Sequence, residues 1–382
     1  MDCVQELYAD KDLSLLKKLT LIIPTYNRNF YLSRCLWYHA HFPFGQIIVA
    51  DSSSEKKKIV NRITVEKIRS IFGVNILYLE YEPETEPYGG DIYRKWNDAV
   101  QHVQTPFSQF CTDKEFLIPT ALTRCIFFLE KNLDYVTAEC VVYQLREDIN
   151  AKIDFTPWQD VPSVTQESPE ERLKTAWRQV TGTLFSTYRA IDHKRIYQNL
   201  VEYNINDIRY GESAIELQPL LLGKVLKWHD YPGRVRDISH LKATSILSGI
   251  DIKESSFTRY PRINEYPPDV SKRLLKNLQL CCNSISDDTK QNARSIDEIL
   301  YGVFLHRYKS GIGIYDRFKI IRKLWDKIPL TLQRPFKKMI GRGDIVFSDV
   351  ELGYEVVMIT QIVRDTRRWY QNDEPISFSC LD

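Results

Sequence analysis

Two carboxylates two positions apart, Asp113 and Glu115, end a mainly apolar run that begins at Thr105, and Phe116-Leu117-Ile118-Pro119 follows them. A carboxylate pair at a strand end is a donor set for a hard divalent cation, which takes oxygen ligands from protein and nucleotide phosphate together. Lys114 stands between them and puts a positive charge into that set, where it pairs with the acids, lowers metal affinity or faces away. A second group, His229, Arg234, Arg236 and His240, lies in one polar run. Arginine grips phosphate through parallel N–H donors. Histidine ligates metal or donates a proton near neutral pH, so His240 joins Asp113 and Glu115 as a candidate metal ligand. The plainer alternatives are a surface turn with a salt bridge for the first group and a solvated loop for the second.

These residues need a frame. Leu19-Thr20-Leu21-Ile22-Ile23-Pro24 is a β-prone run that stops at a proline and turns polar at Thr25-Tyr26-Asn27-Arg28, which predicts a buried strand over 19–24 ending in a loop. Gln46 to Asp51 reads as a second strand ending in an acid and three serines, and 74–81 as a third. Helical spacing over 30–39, 56–72 and 92–103 alternates with these strands and argues a largely parallel sheet. Ligands of open α/β sheets bind outside the carboxyl ends of the strands. Pro24, Thr25, Tyr26, Asn27, Arg28, Asp51 and Asp113 therefore fall where a ligand phosphate or base is met. Further on, 135–138 and 141–143 read as strands and 150–170 as a polar loop. Helices are expected over 170–178, 190–200 and 211–222, the last kinked at Pro219 and closed by Gly223. A linker at 260–268 precedes a mostly helical remainder, 270–281, 296–308, 315–325 and 354–370.

Composition narrows the classes. The 382 residues are 43% hydrophobic and 27% charged with a net charge of +2, ordinary for a globular protein and no indication of a nucleic-acid partner. The 22 Tyr and 7 Trp suit sugar faces as well as a large core. Eight cysteines contain no C-x-x-C pair, which reads as reduced thiols rather than a disulfide framework or a zinc site. No basic-then-apolar leader and no run of about 18 apolar residues is present, so a cytoplasmic location is expected, with peripheral contact at the inner membrane face as the alternative. Basic and apolar residues mingle over 317–325 and 334–340, as on the outer face of a helical bundle or at a membrane surface.

Together, "LIIPTYNR" and "TDKEFLIP" resemble the first nucleotide-binding loop and the Asp-x-Asp motif of inverting, family-2-like bacterial glycosyltransferases with a GT-A fold, over roughly 19–244. The resemblance implies a GT-A-like, mostly parallel α/β sheet flanked by helices over 1–262, with a helical C-terminal region over 263–382. It implies transfer of a sugar, with inversion, from a nucleotide-activated donor to a hydroxyl of a saccharide or lipid-linked acceptor, in surface polysaccharide or glycoconjugate synthesis. In that family an acid at the position of Asp51 accepts hydrogen bonds from the donor's base, and a loop at Gly89-Gly90-Asp91 approaches the nucleotide. Mg²⁺ or Mn²⁺ is implied at Asp113 and Glu115, although Lys114 replaces an expected acid. The family's general base falls in the stretch from Asn206 to Ser213, which gives Glu212 first and Asp207 second, because Ser213 departs from the family's Glu-Asp pair. Arg234 and Arg236 would neutralise the leaving phosphate. Asp51, Asp91 and Glu212 each have a plainer reading as helix-end acids. Two other classes remain: a nucleotidyltransferase, against which the glycine-free Pro24–Arg28 loop counts, and a catalytically silent scaffold of the same fold.

Overall fold

In a computed structural model, the residues described are 11–83, 92–147, 153–157, 162–178, 182–237, 268–288, 298–300, 302, 359, 362 and 363. They form a mixed α/β structure built on one nine-stranded sheet. The strands are β1 (Leu19–Thr25), β2 (Gln46–Asp51), β3 (Ile76–Glu80), β4 (Phe107–Phe110), β5 (Glu115–Leu117), β6 (Tyr135–Glu147), β7 (Ile153–Pro157), β8 (Thr187–Arg189) and β9 (Lys224–Asp237). Their order is β3-β2-β1-β4-β8-β6-β9-β5, with β7 on β6. The four strands β3, β2, β1 and β4 are parallel. β6 and β9 are also parallel, while β8, β5 and β7 join antiparallel.

The helices are α1 (Asn29–His39), α2 (Glu55–Phe72), α3 (Ile92–Gln101), α4 (Pro119–Lys131), α5 (Pro169–Arg178), α6 (Ala190–Glu202), α7 (Ile208–Leu222) and α8 (Pro268–Asp288). Local chemistry sets their ends. Gly73, at φ 65°, closes α2 with its N–H on the Arg69 carbonyl at 2.9 Å. Pro119 opens α4, where its missing N–H costs nothing. Asp207 Oδ1 takes the Tyr210 N–H at 3.1 Å and caps α7.

The buried strands are apolar on both sides, and their period of two sorts side chains between two cores. Ile22, Ile48 and Ala50 face one core with Trp96 of α3 and Tyr197 of α6. Leu21, Ile23, Ile47 and Val49 face the other, with Leu36 of α1 and Leu122 of α4. Residues beyond 262 share these cores: Leu278 and Ile285 of α8 lie in the first, and Ile359, Ile362 and Val363 in the second.

Three expectations are corrected. The polar run that carries His229, Arg234 and Arg236 is not a loop but the fourteen-residue strand β9. The two short strands expected over 135–143 are one strand, β6, and residues 153–157 form a strand rather than loop. Charged residues disguised β9: Lys227 and Arg234 are tolerated between strands only because buried Glu139 on β6 and Glu115 on β5 pair with them.

Helices α3 and α7 meet closely at Tyr93 and Gly211. A Cβ added to Gly211 of α7 would lie 2.1 Å from ring atoms of Tyr93 on α3. Tyr93 is buried, and its hydroxyl donates to the Ile208 carbonyl at 2.8 Å. Gly211→Ala is expected to destabilise the protein by about 1–3 kcal/mol through overpacking. An unchanged urea midpoint would show that α7 does not rest on Tyr93.

Candidate functional site

From β1 to β2 to β3 the chain moves one way across the sheet, and β4 then pairs on the other side of β1. The order reverses between β1 and β4, and in open α/β sheets the crevice expected at such a reversal, outside the carboxyl ends of the strands, is where ligands bind. Residues 25–28 leave β1 there, and residues 111–114 leave β4.

Asp113 spans the two. Its Oδ2 accepts the Thr25 hydroxyl at 3.0 Å, and its Oδ1 accepts Arg28 Nη1 at 3.3 Å. Asn27 holds the loop in shape. Its φ of 52° is left-handed, which asparagine tolerates better than most residues. Its N–H donates to Ser53 Oγ at 2.8 Å, and its Oδ1 accepts the Ser54 N–H at 2.9 Å, which ties the end of β1 to the end of β2. Pro24 is on β1 itself, opposite Ala50, and Tyr26 is half-buried beyond it.

Asp51 sits at the end of β2, as expected, but is fully buried. It accepts the Ser53 N–H at 2.8 Å, Asn61 Nδ2 at 2.7 Å and the Tyr78 hydroxyl at 2.6 Å. In this arrangement it latches the β2 loop onto α2 and β3. Next to it lies a lysine that pattern reading missed: Lys95 of α3 donates to Ser52 Oγ at 2.6 Å and is itself buried. The available signal was a lysine on the core-facing side of a helix.

Asp113 and Glu115 do not turn to the same partners. Glu115 Oε2 accepts the Thr112 N–H at 3.0 Å, and Arg234 Nη1 reaches both its oxygens at 3.3 and 3.4 Å. The antiparallel β5–β9 register, Glu115 opposite Arg236 and Leu117 opposite Arg234, creates this pairing. Arg234 also reaches Glu139 Oε1 at 3.3 Å, and Ser186 donates to Glu139 Oε2 at 2.9 Å. As arranged, each carboxylate faces its own guanidinium and both are buried, so the pair does not form a ready donor set for a shared cation.

Lys114 is buried between them with its ammonium 4.6 Å from the Tyr31 ring centroid. Burial, with help from Arg28 and Arg236 and against Asp113 and Asp237, brings its pKa down to about 7. Beneath it, Arg34 pairs with Asp237 at 2.8 Å, both side chains 1% exposed, and the Asp237 N–H donates to the Lys114 carbonyl at 3.0 Å.

Glu212 and Asp207 both lie close enough to Tyr93 of α3 for their charges to act on its hydroxyl. Tyr93 also holds Ile208 at the start of α7. Glu212 is half-buried in the second turn of α7, and its charge adds to burial in pushing the Tyr93 hydroxyl pKa up. Asp207 caps the same helix. Asp91 and His240 lie outside the described residues. Among those residues, no helix is long and apolar enough to cross a membrane.

No family model matches the chain, and no curated protein matches its sequence. Solved structures align along most of its length. S. aureus TarS 1–349 in complex with UDP-GlcNAc is 14% identical with a TM-score of 0.45, covering 94% of this chain and 92% of that one. TarS 1–349 alone gives 14% and 0.44, with 93% and 91% covered. The mannosyltransferase PcManGT from Pyrobaculum calidifontis in complex with GDP-Man and Mn2+ gives 11% and 0.37, with 81% and 88% covered. At these scores the likenesses assign nothing to individual residues.

Removing one member of the Arg34–Asp237 pair leaves a charge in the core without its partner. Arg34→Met is expected to cost about 3–5 kcal/mol, and adding Asp237→Leu should restore most of the loss. Chemical denaturation of the two variants checks this; a double variant no more stable than the single one would refute the pairing.

Proposed function

We infer that the protein is a GT-A-like glycosyltransferase that moves a sugar from a nucleotide-activated donor to an acceptor hydroxyl with inversion. The observation that carries this reading is the charge cluster at the β1/β4 reversal, where Arg28, Lys114 and Arg236 gather around Asp113 and Asp237. Such a group suits a diphosphate, whose negative charge grows as it leaves. Asn27 and Asp51 would shape the loops that receive the nucleotide, and Lys95 would add a positive charge beneath them.

In this reading Glu212 takes the proton of the acceptor hydroxyl as that oxygen bonds the anomeric carbon. The bond from that carbon to the diphosphate breaks on the opposite face. Glu212 is placed first and Asp207 second because the family resemblance sets the base at the glutamate of this stretch. The counter-charge comes from Lys114 and Arg28. A Mg²⁺ or Mn²⁺ ion would enter only with the donor's phosphates, because Asp113 and Glu115 are engaged by arginines.

A panel of nucleotide sugars screened by thermal shift should reveal a stabilising donor, since a ligand bound only by the native state raises its melting temperature. Glu212→Gln should then lower kcat by about 10²-fold or more while leaving donor binding intact. If Glu212→Gln stays active and Asp207→Asn does not, Asp207 is the base. Donor binding without hydrolysis or transfer on any acceptor would favour the silent scaffold.

Lys114 gives the binding a pH dependence of defined sign. Below about pH 7 it is already charged in the free protein, and above that value a bound diphosphate must recruit a proton to it. Donor affinity is expected to fall as pH rises from 7, by up to about tenfold per pH unit. Calorimetric titrations at several pH values, with Lys114→Met as the comparison, test this. The variant should bind weakly and without that slope, and an equal slope in both would sink the assignment.

A further inference from the structure

Under the turn that carries Asp113, Lys114 and Glu115 lies a group that the proposed transfer does not use. Cys35 and His39 are one helical turn apart on α1, so both project from one face. Cys111 is the first residue past β4, fixed by its N–H on the Ile22 carbonyl at 2.9 Å. One ligand atom from each of Cys35, His39 and Cys111 lies within 4.8 Å of the others, and all three residues are buried. Cys35 Sγ is 3.5 Å from His39 Nδ1, and Cys111 Sγ is 4.0 Å from His39 Nε2.

The imidazole is oriented as a metal-bound one would be. Its Nδ1 is 2.8 Å from the Cys35 carbonyl and so carries the proton, which leaves the lone pair on Nε2. That nitrogen accepts the Leu117 N–H at 3.3 Å and has Cys111 Sγ at 4.0 Å. The sulfurs' other neighbours are the Thr112 and Glu115 carbonyls at 3.5 to 3.9 Å, distances at which a thiol donates weakly.

We propose that Cys35, Cys111 and His39 bind one zinc(II) ion that pins α1 to the Thr112–Glu115 turn. Thiolate and imidazole are the ligands zinc prefers. Charge selects zinc over copper(I): two thiolates with Zn²⁺ leave the buried site neutral, whereas copper(I) leaves a net negative charge there. Binding replaces two S–H bonds with two S–Zn bonds and releases two protons to solvent. The carbonyl oxygens of Thr112 and Glu115 are the nearest further donors. This ion is separate from any that enters with donor phosphates, and the proposal does not depend on the transfer reaction.

The full chain, purified under reducing conditions, is expected to carry about one zinc per chain by elemental analysis. X-ray absorption at the zinc edge should show two sulfur neighbours at about 2.3 Å and a nitrogen at about 2.0 Å. Cobalt(II) in its place should give a sulfur-to-cobalt charge-transfer band. Cys35→Ser and Cys111→Ser should each abolish that band, and His39→Gln should weaken zinc affinity roughly tenfold or more. Cys125 and Cys140 also lie 4.0 Å apart but without a histidine in the group, so Cys125→Ser should keep the band in full. The X-ray measurement needs no variant, so a substitution that fails to fold does not leave the question open. Metal-free wild-type protein that takes up no zinc with its thiols reduced, a zinc shell without sulfur, a cobalt band that survives Cys111→Ser, or copper(I) in place of zinc would each overturn the proposal.

Discussion

Asp113 between Thr25 and Arg28 is the contact on which the strand-end crevice depends. It joins the loop after β1 to the turn after β4, at the one place where the strand order of the parallel half reverses. A buried carboxylate there would be costly alone and is tolerable because a hydroxyl and a guanidinium satisfy it. The same rule extends inward. Glu115 is satisfied by Arg234 and the Thr112 N–H, and Glu139 by Arg234, Lys227 and Ser186, while Asp237 has the Arg34 guanidinium as its counter-charge. The second half of the sheet is in this sense held in register by charge pairs as well as by its backbone ladder.

That arrangement bears on the chemistry. Buried ion pairs contribute little net stability, because desolvation offsets most of the Coulombic gain. They do fix where each charge points. With Asp113 and Glu115 already turned to arginines, Arg28, Lys114 and Arg236 form a positive group around Asp113. Lys114 is the most responsive of these, because burial has brought its pKa near neutrality and an arriving anion raises it again.

The loops of the parallel half are similarly over-determined. Asn27 in its left-handed conformation bonds to the Ser53–Ser54 segment, Asp51 bonds to Ser53, Asn61 and Tyr78, and Lys95 reaches Ser52. A ligand entering the crevice would meet loops already held in place, which reduces the ordering cost of binding.

The sequence alone determined the elements whose evidence is local. The apolar runs at Leu19 and Gln46, with polar residues at once after them, located β1, β2 and their loops, because a buried parallel strand is apolar on both faces. Helices α1, α2, α6 and α7 were legible from spacing and end residues. Tertiary structure decided the rest. Arg234 neutralises Glu115 across 119 positions, and Arg28 meets Asp113 across 85, so neither the strand character of β9 nor the separate fates of the two acids was visible in a window of neighbours. Cys111 reaches His39 across 72 positions, which is why eight cysteines without a C-x-x-C spacing gave no sign of a buried Cys-His group. Charge and thiol chemistry are written in residue types, but their partners are chosen by which strands lie side by side.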